Sequence, residues 1–348
     1  MWRKRVSMLN ISIIIPAYNE EDHIAKTIES ILQQDYPIEQ VIVVDDSSMD
    51  TTKYVADSYD KVMVITTKKN CGTKAMAQNY ALPLVNANIT VTVDADTVLA
   101  FDAVGKFVAA FDKDSELFSA CGFVLPRRIK TIWEKGRYIE YLFGLTINKR
   151  IQDEYGAILV CSGCLSAFNT EKLKQYGFRD LSVAEDMDLT WLAHMEGEKI
   201  AYVSEAICYP LEPGTLKVYK DQVTRWYSAF FQCLKIHWQD ILRFKKPMLS
   251  VLIFLGLLEG LFAFPVLGYY LVRYYNFQLL LIVVLLDLFI ISIPAIIKGW
   301  KIGKLKLTLT SIPCYVFVTR YINLYLFYKS FINEVLLRKT LTTWKKGH

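Results

Sequence analysis

Asp94-Ala95-Asp96 follows the apolar run Ile89 to Val93 and sets two carboxylates on one tight turn. Hard oxygen donors at that spacing suit Mg²⁺ or Mn²⁺ held against a diphosphate, although an ordinary solvated strand end has the same pattern. Asp45 and Asp46 end a second apolar run and precede Ser47, Ser48 and Asp50. That grouping fits ligand contact or capping of the following helix by Asx and Ser side chains. Glu185 and Asp186 stand just before an amphipathic stretch, where the helix dipole alone accounts for acids. A functional role for them needs company, and Gln222-Val-Thr-Arg225-Trp226 supplies some: a guanidinium able to clamp phosphate beside an indole able to wall a pocket. The competing reading of those two is an interfacial Trp and a lipid-facing Arg.

These residues need a scaffold, and the pattern from residue 11 to about 100 provides one. Short β-branched runs (ISIII, QVIVVDD, VMVITT, ITVTVDAD) alternate with helix-length segments (EEDHIAKTIESILQQ, TKYVADSY, TKAMAQNYALPLV). This β-α-β-α-β-α-β order predicts an α/β fold with a parallel, doubly wound sheet, which binds ligands beyond the carboxyl ends of its strands. Two of the four strands end in the acids named above. Residues 131–151 (TIWEKGRYIEYLFGLTINKRI) mix aromatic and basic residues, as does either an amphipathic helix at a membrane interface or a core helix.

The 348 residues carry 40 Lys/Arg against 35 Asp/Glu, with 53% hydrophobic residues, which excludes a disordered chain. The charge is uneven: residues 248–348 sum to +8 and residues 1–247 to −3. The larger part is slightly acidic, so nucleic acid is not an expected partner. The division suggests a cytosolic domain over 1–247 and a membrane region over 248–348. Within the latter, Met248 to Val272 and Phe277 to Ile297 are each long enough for a span needing about 20 apolar residues, and Leu305 to Phe327 is a third candidate interrupted by Pro313 and Arg320. Lys298, Lys301, Lys304 and Lys306 put that loop on the side of the catalytic domain and the Arg273 to Asn276 turn outside. A full third span would carry Arg338, Lys339, Lys345 and Lys346 outside, against the positive-inside rule, so two or three spans are expected. Glu259, Asp287 and Arg320 fall inside apolar segments, where they either pair between helices or line a polar path. Seven cysteines (71, 121, 161, 164, 208, 233, 314) show no spacing for a zinc site and read as reduced thiols. Nothing before Ile11 reads as a signal peptide.

In their order along the chain these motifs resemble the family-2 inverting glycosyltransferases of the membrane-bound synthase type, which include poly-N-acetylglucosamine, hyaluronan and cellulose synthases and ceramide glucosyltransferases. The resemblance covers roughly residues 10–240. It rests on IPAYNEE (Ile15 to Glu21), VVDDSSMDTT (Val43 to Thr52), the Lys74 segment GTKAMAQN, VDAD (Val93 to Asp96), SGCLSAF (Ser162 to Phe168), AEDMDLT (Ala184 to Thr190) and QVTRW (Gln222 to Trp226). It implies a GT-A, Rossmann-like, mostly parallel sheet in an integral membrane protein with a cytoplasmic catalytic domain. It further implies that Tyr18, Glu20 and Asp46 contact the uridine, Lys74 and Asp94 the ribose or diphosphate, and Ser162 and Gly163 the substrate. Asp96, with Asp94, would hold Mg²⁺ or Mn²⁺. Asp186 would be the general base with Glu185 its neighbour, and Gln222, Arg225 and Trp226 would hold the diphosphate and cover the acceptor end. One base opposite the leaving group gives inversion, so an α-linked UDP-sugar would yield a β-glycoside.

The departures bear on the acceptor. The family's large polymer synthases usually carry membrane helices before the catalytic domain and none is expected from the residues before Ile11, and two or three spans are thin for a polysaccharide channel unless the chain forms a homo-oligomer or joins a partner membrane subunit. Cys164 and Leu165 stand where the family often has a small residue or Pro. The leading expectation is extension of a β-linked polymer from a UDP-sugar, with UDP-N-acetylglucosamine as donor. The alternatives are a single transfer to a lipid, ceramide-like or polyprenyl phosphate, and a membrane scaffold with a dead transferase domain. The scaffold reading predicts loss of Asp94, Asp96 or Asp186, and all three are present.

Overall fold

The computed structural model describes residues 9–263, 266, 269, 273 and 277–342. The chain falls into two compact units, each described by itself. The first comprises Met1–Phe123, Val160–Asp180 and Glu198–Pro210; the second comprises Val124–Leu159, Leu181–Gly197 and Leu211–His348.

The first unit is built on eight strands: β1 (Ile11–Ala17), β2 (Gln40–Asp45), β3 (Val62–Thr66), β4 (Ile89–Val93), β5 (Val98–Leu99), β6 (Leu117–Val124), β7 (Leu165–Asn169) and β8 (Lys199–Tyr209), in the order β3-β2-β1-β4-β7-β6-β8-β5. The runs read as strands from their Ile and Val content form β1 to β4, and these pair in parallel. The helices expected between them are α1 (Ile24–Leu32), α2 (Thr52–Asp57) and α3 (Lys74–Ala81). Ile13, Ile14, Val43, Val44, Val91 and Val93 are buried, as strands covered on both faces require. The other half differs from the expected mostly parallel sheet: β7 runs antiparallel to β4 and to β6, and β5 antiparallel to β8. The sheet is therefore mixed. The helices α4 (Ala103–Lys113) and α7 (Thr170–Tyr176) complete this unit.

The second unit is helical. It contains α5 (Ile132–Phe143), α6 (Lys149–Glu154), α8 (Glu185–Met195), α9 (Leu216–Leu242), α10 (Pro247–Leu258), α11 (Phe277–Lys301), α12 (Leu305–Cys314) and α13 (Arg320–Phe331). The segment left open between an interfacial and a core helix begins as α5, a packed element. Thr131 and Glu134 form a reciprocal capping box, and Arg137, Tyr138, Ile139 and Leu142 are buried. A Cβ on Gly136 would lie 2.3 Å from Thr319 Cγ2, so a larger residue there would push α5 off its neighbour. Tyr138 Oη meets Thr308 Oγ1 of α12 at 3.1 Å. The 27-residue α9 is flanked by α8 through Trp191 and Phe230, and by α13 through Phe231 and Phe327.

Asp287 and Arg320, read as expensive charges in apolar segments, form an ion pair between α11 and α13. Counted over the described residues alone, no helix is long and apolar enough to cross a membrane. Part of the first expected span, residues 264, 265, 267, 268 and 270–272, lies outside the described residues, as do residues 274–276 of the turn after it and Lys345 and Lys346 of the tail.

A buried histidine gives this unit a pH dependence. His194 Nε2 lies 2.9 Å from the Ile158 carbonyl oxygen, so the neutral ring donates there. Burial, and then the charge of Lys246, push its pKa down to about 4. The unfolded chain takes up this proton near the ordinary value, about 6.5, and the folded chain only near 4. Stability from this site is thus complete above pH 6.5 and falls as the pH drops towards 4. The loss approaches ~3 kcal/mol at ~1.4 kcal/mol per pKa unit. The thermal midpoint of detergent-solubilised protein should fall between pH 7 and 4.5, and fall less in His194→Gln, which keeps an N–H donor without the titration. Equal slopes for the two proteins would exclude His194 as the cause.

Candidate active site

In the first unit, parallel register sets Ala17 beside Asp45, so the loops leaving β1 and β2 emerge together. They are tied to each other. Asn19, at φ +54°, donates its N–H to Ser48 Oγ (3.0 Å) and accepts from the Met49 N–H through Oδ1 (2.8 Å); the Glu20 N–H donates to Thr52 Oγ1 (2.6 Å). Tyr18 is 40% exposed at this rim, and Glu20 is buried. Asp46 Oδ1 accepts from Thr67 Oγ1 and from the Cys71 N–H, both at 2.8 Å, while its own N–H reaches the Ala17 carbonyl. Asp46 thereby organises the 67–71 loop. The Asx bonds here are local to the loop, Asp45 Oδ1 accepting from the Ser48 N–H and Asp50 Oδ1 from the Thr52 N–H, while Thr51, the N-cap of α2, makes no side-chain cap hydrogen bond.

The carboxylate turn follows β4. The Thr97 N–H donates to the Asp94 carbonyl at 3.0 Å and closes a four-residue turn, whose Ala95 carbonyl is held by buried Thr27 Oγ1 at 2.8 Å. Both carboxylates are half-buried. Asp94 forms an ion pair with Lys74, the first residue of α3, and Lys74 Nζ also donates to the Gly163 carbonyl at 3.2 Å. Asp96 Oδ1 accepts from Thr97 Oγ1 at 3.0 Å. The expected residues Lys74, Asp94 and Gly163 are thus brought together, and Ser162 sits in the same turn, its carbonyl accepting from Ser166 Oγ. Cys164 and Cys208 bring their sulfurs to 3.8 Å beside them. Burial pushes the Cys208 thiol well up, with Cys164 and the carboxylates of Asp94 and Asp96 adding to the effect. Among the described residues no cluster of three or more His, Cys, Asp or Glu side chains is arranged to hold a metal ion. Two hard carboxylates on one turn do fit Mg²⁺ or Mn²⁺ of the kind that completes its shell with water and substrate phosphate.

In the second unit, Glu185, Asp186 and Asp188 occupy the first turn of α8, where the dipole favours negative charge. They differ in surroundings. Asp188 is buried and meets His237 Nε2 at 2.9 Å, which makes it part of the α8–α9 contact. Glu185 is 7% exposed. Asp186 is half-buried, its Oδ1 accepting from the Met187 N–H at 2.8 Å and its carbonyl from Thr190 Oγ1 at 2.6 Å.

Gln222 and Trp226 are one turn apart on α9, and a residue not expected from the sequence grips both. Arg137 of α5, fully buried, donates from Nη2 to Gln222 Oε1 (3.2 Å) and lays its guanidinium 4.4 Å from the centre of the Trp226 ring. Tyr219 faces the same guanidinium at 5.0 Å, and Glu140 and Glu212 balance its charge. Burial works against the Arg137 charge, but Glu140, Tyr219, Tyr141 and Glu212 outweigh it, so its pKa lies above the ordinary value. Arg225 is half-buried on the adjacent face of the helix. The available signal for Arg137 was its place four residues after Trp133 and four before Tyr141, in the middle of an aromatic stripe.

Residues 12–177 match the family model described as Glycosyl transferase family 2. A poly-beta-1,6-N-acetyl-D-glucosamine synthase of Staphylococcus epidermidis is 28% identical over 263 residues, covering 74% of this chain and 64% of that protein. The synthase of the same description from Staphylococcus aureus is 27% identical over the same length. The chain thus spans less than two thirds of the length of these curated relatives. Among solved structures, the mannosyltransferase PcManGT from Pyrobaculum calidifontis, in complex with GDP-Man and Mn²⁺, superposes with a TM-score of 0.63 at 21% identity, covering 90% of this chain and 88% of that one. S. aureus TarS 1–349 in complex with UDP gives 0.52 at 18% identity, covering 93% and 91%. At these identities the likeness is one of fold.

Proposed function

We propose that the chain, whose residues 12–177 match the Glycosyl transferase family 2 model, is a glycosyltransferase that moves N-acetylglucosamine from UDP-N-acetylglucosamine to a growing β-linked polysaccharide. The observation that carries the reading is the cation of Lys74 against Asp94 and the Gly163 carbonyl, at the turn where a diphosphate would depart. The choice of donor and product leans on the names of the relatives.

In the proposed reaction the acceptor hydroxyl attacks the anomeric carbon, its proton passes to Asp186, and the electron pair of the breaking C–O bond leaves with UDP. Attack opposite the leaving group inverts the centre. Tyr18, Glu20 and the loop organised by Asp46 receive the uridine, while Lys74 and Arg225 offset charge on the departing diphosphate. Ser162 and Gly163 bound the sugar. Gln222 and Trp226, held by Arg137, cover the acceptor end. A Mg²⁺ or Mn²⁺ held by Asp96 and Asp94 would add positive charge against the diphosphate.

The membrane region is proposed over 248–348, with the catalytic domain over 1–247 on the cytoplasmic side. It is supported by α11, on which Leu281, Ile282, Leu285, Leu286, Phe289 and Ile290 are each more than half exposed. A continuous apolar face of that kind suits lipid better than water. Two or three spans leave room for a homo-oligomer or a partner membrane subunit around the product. Native membranes washed with alkaline carbonate should retain the chain; its release would remove the integral-membrane reading.

The test of the reaction is UDP release by detergent-purified protein from UDP-N-acetylglucosamine, UDP-glucose, UDP-glucuronate and UDP-galactose, with Mg²⁺, Mn²⁺ or chelator, followed by sizing of the product. The expected result is metal-dependent release with UDP-N-acetylglucosamine and a long product. A single-sugar lipid would replace the polymer by a lipid acceptor, and silence with all donors and added lipid would overturn the reading. In the same assay Arg137→Lys should lower kcat/KM by about tenfold, because an ammonium keeps the charge but loses the planar face over Trp226 and the fork to Gln222. Unchanged kinetics would leave Arg137 with a purely structural part.

A further inference from the structure

Gln232 belongs to no expected motif. It lies on α9 six residues after Trp226, 4% exposed, and connects two segments remote from each other in the chain. Its Oε1 accepts from the Val183 N–H at 3.0 Å; its Nε2 donates to Glu334 Oε1 at 2.8 Å and to the Leu341 carbonyl at 2.9 Å. The amide has one orientation that satisfies these partners, since an N–H must meet the oxygen and a carboxylate must meet the nitrogen. Glu334, 1% exposed, also accepts from the Leu341 N–H at 2.9 Å through Oε1 and from Lys235 Nζ at 3.1 Å through Oε2. Val183 is three residues before Asp186. The rest of its loop is braced internally, with Ser182 Oγ donating to the Ala184 carbonyl at 2.8 Å. A buried amide and carboxylate without competing water hold their partners firmly, and losing one leaves a polar group unsatisfied.

We propose that the C-terminal segment Glu334–Leu341 is a positioning element for glycosyl transfer, which through Gln232 fixes the loop 181–184 and with it the entry of Asp186. The inference rests on the reading of Asp186 as the base. Gln232 and Glu334 are positioning residues, since they act on Asp186 through the Val183 backbone. A displacement of about 1 Å at a reacting group lowers rate by about 10²-fold, so a modest slackening of this loop reaches the chemistry.

The test uses the full chain in detergent. Gln232→Glu sets a second carboxylate against Glu334; the double variant Gln232→Glu with Glu334→Gln removes that repulsion and restores the one bond between the two side chains with its direction reversed, the new amide donating to the new carboxylate. Gln232→Met removes all three bonds without adding charge and serves where the charged variant does not fold. The expected results for Gln232→Glu and Gln232→Met are a kcat lower by about 10²-fold, a KM for the UDP-sugar within about twofold, and faster amide hydrogen exchange over residues 183–187. The double variant should regain at least about tenfold in kcat and slow that exchange again. Wild-type exchange and turnover in folded Gln232→Met would overturn the inference, as would KM rising in step with the loss of kcat. The exchange measurement reads the positioning whatever the chain transfers, so an inactive wild type would count against the transfer reading alone.

Discussion

Asp186→Asn should lower glycosyl transfer by about 10²- to 10⁴-fold while UDP binding stays close to that of the wild type. The amide has the shape of the carboxylate, and its oxygen can still accept from the Met187 N–H, so the first turn of α8 keeps its geometry. What it loses is the capacity to take the acceptor proton. Two neighbours make the result specific. Asp188 is buried against His237, so Asp188→Asn should be read first in the thermal midpoint, through a weakened α8–α9 contact. Glu185 is also buried, and Glu185→Gln tests the neighbour in the same turn. The measurements are single-turnover transfer and calorimetric titration with UDP. Loss of UDP affinity equal to the loss of rate would remove Asp186 from the role of base and make it part of the nucleotide site.

The contrast between what could be read from the residues and what could not follows the range of the interactions. Strands β1 to β4 and their crossover helices were legible because each is a short buried run of Ile and Val bounded by turn residues, a pattern written locally. Strands β6 and β8, LFSACGFV and KIAYVSEAICY, carry Ser, Cys, Gly and Glu among their apolar residues, and the antiparallel order that makes the sheet mixed depends on pairings such as Val91 with Ala167. The carboxylate turn was legible as a pair of acids on a strand end, and its meaning came only with the later motifs. Asp46 shows the limit at a single residue: its place beside β1 followed from the pattern, but the bonds it makes to Thr67 and Cys71 depend on a loop more than twenty residues away. Arg137 and Gln232 lay further out of reach, since their partners are Gln222 and Glu334, 85 and 102 residues distant. An amphipathic pattern tells which face of a helix is buried and not what covers it, which is why α5 read equally as an interfacial or a core helix.

Asp96→Ala should weaken UDP binding by about 10²-fold in the presence of Mg²⁺ or Mn²⁺ and leave it nearly unchanged in chelator, a difference of about 2.7 kcal/mol that belongs to the metal alone. The turn itself should survive the substitution. It is closed by the backbone bond from Thr97 to Asp94 and pinned through Ala95 by Thr27, and neither contact uses the Asp96 side chain. Asp94 keeps its ion pair with Lys74, so the second carboxylate stays in place. Within the protein the substitution removes the acceptor of the Thr97 hydroxyl, a half-buried hydrogen bond whose contribution is about 1 kcal/mol. Lys74→Met separates the two sources of positive charge: it should weaken UDP binding by a similar factor with metal and with chelator, because the ammonium meets the diphosphate without an ion between them. Metal titrations of UDP affinity on the three proteins decide the matter. If Asp96→Ala and the wild type respond to Mn²⁺ with the same midpoint and amplitude, coordination does not run through Asp96, and the acidic turn acts by steering Lys74 rather than by holding a cation.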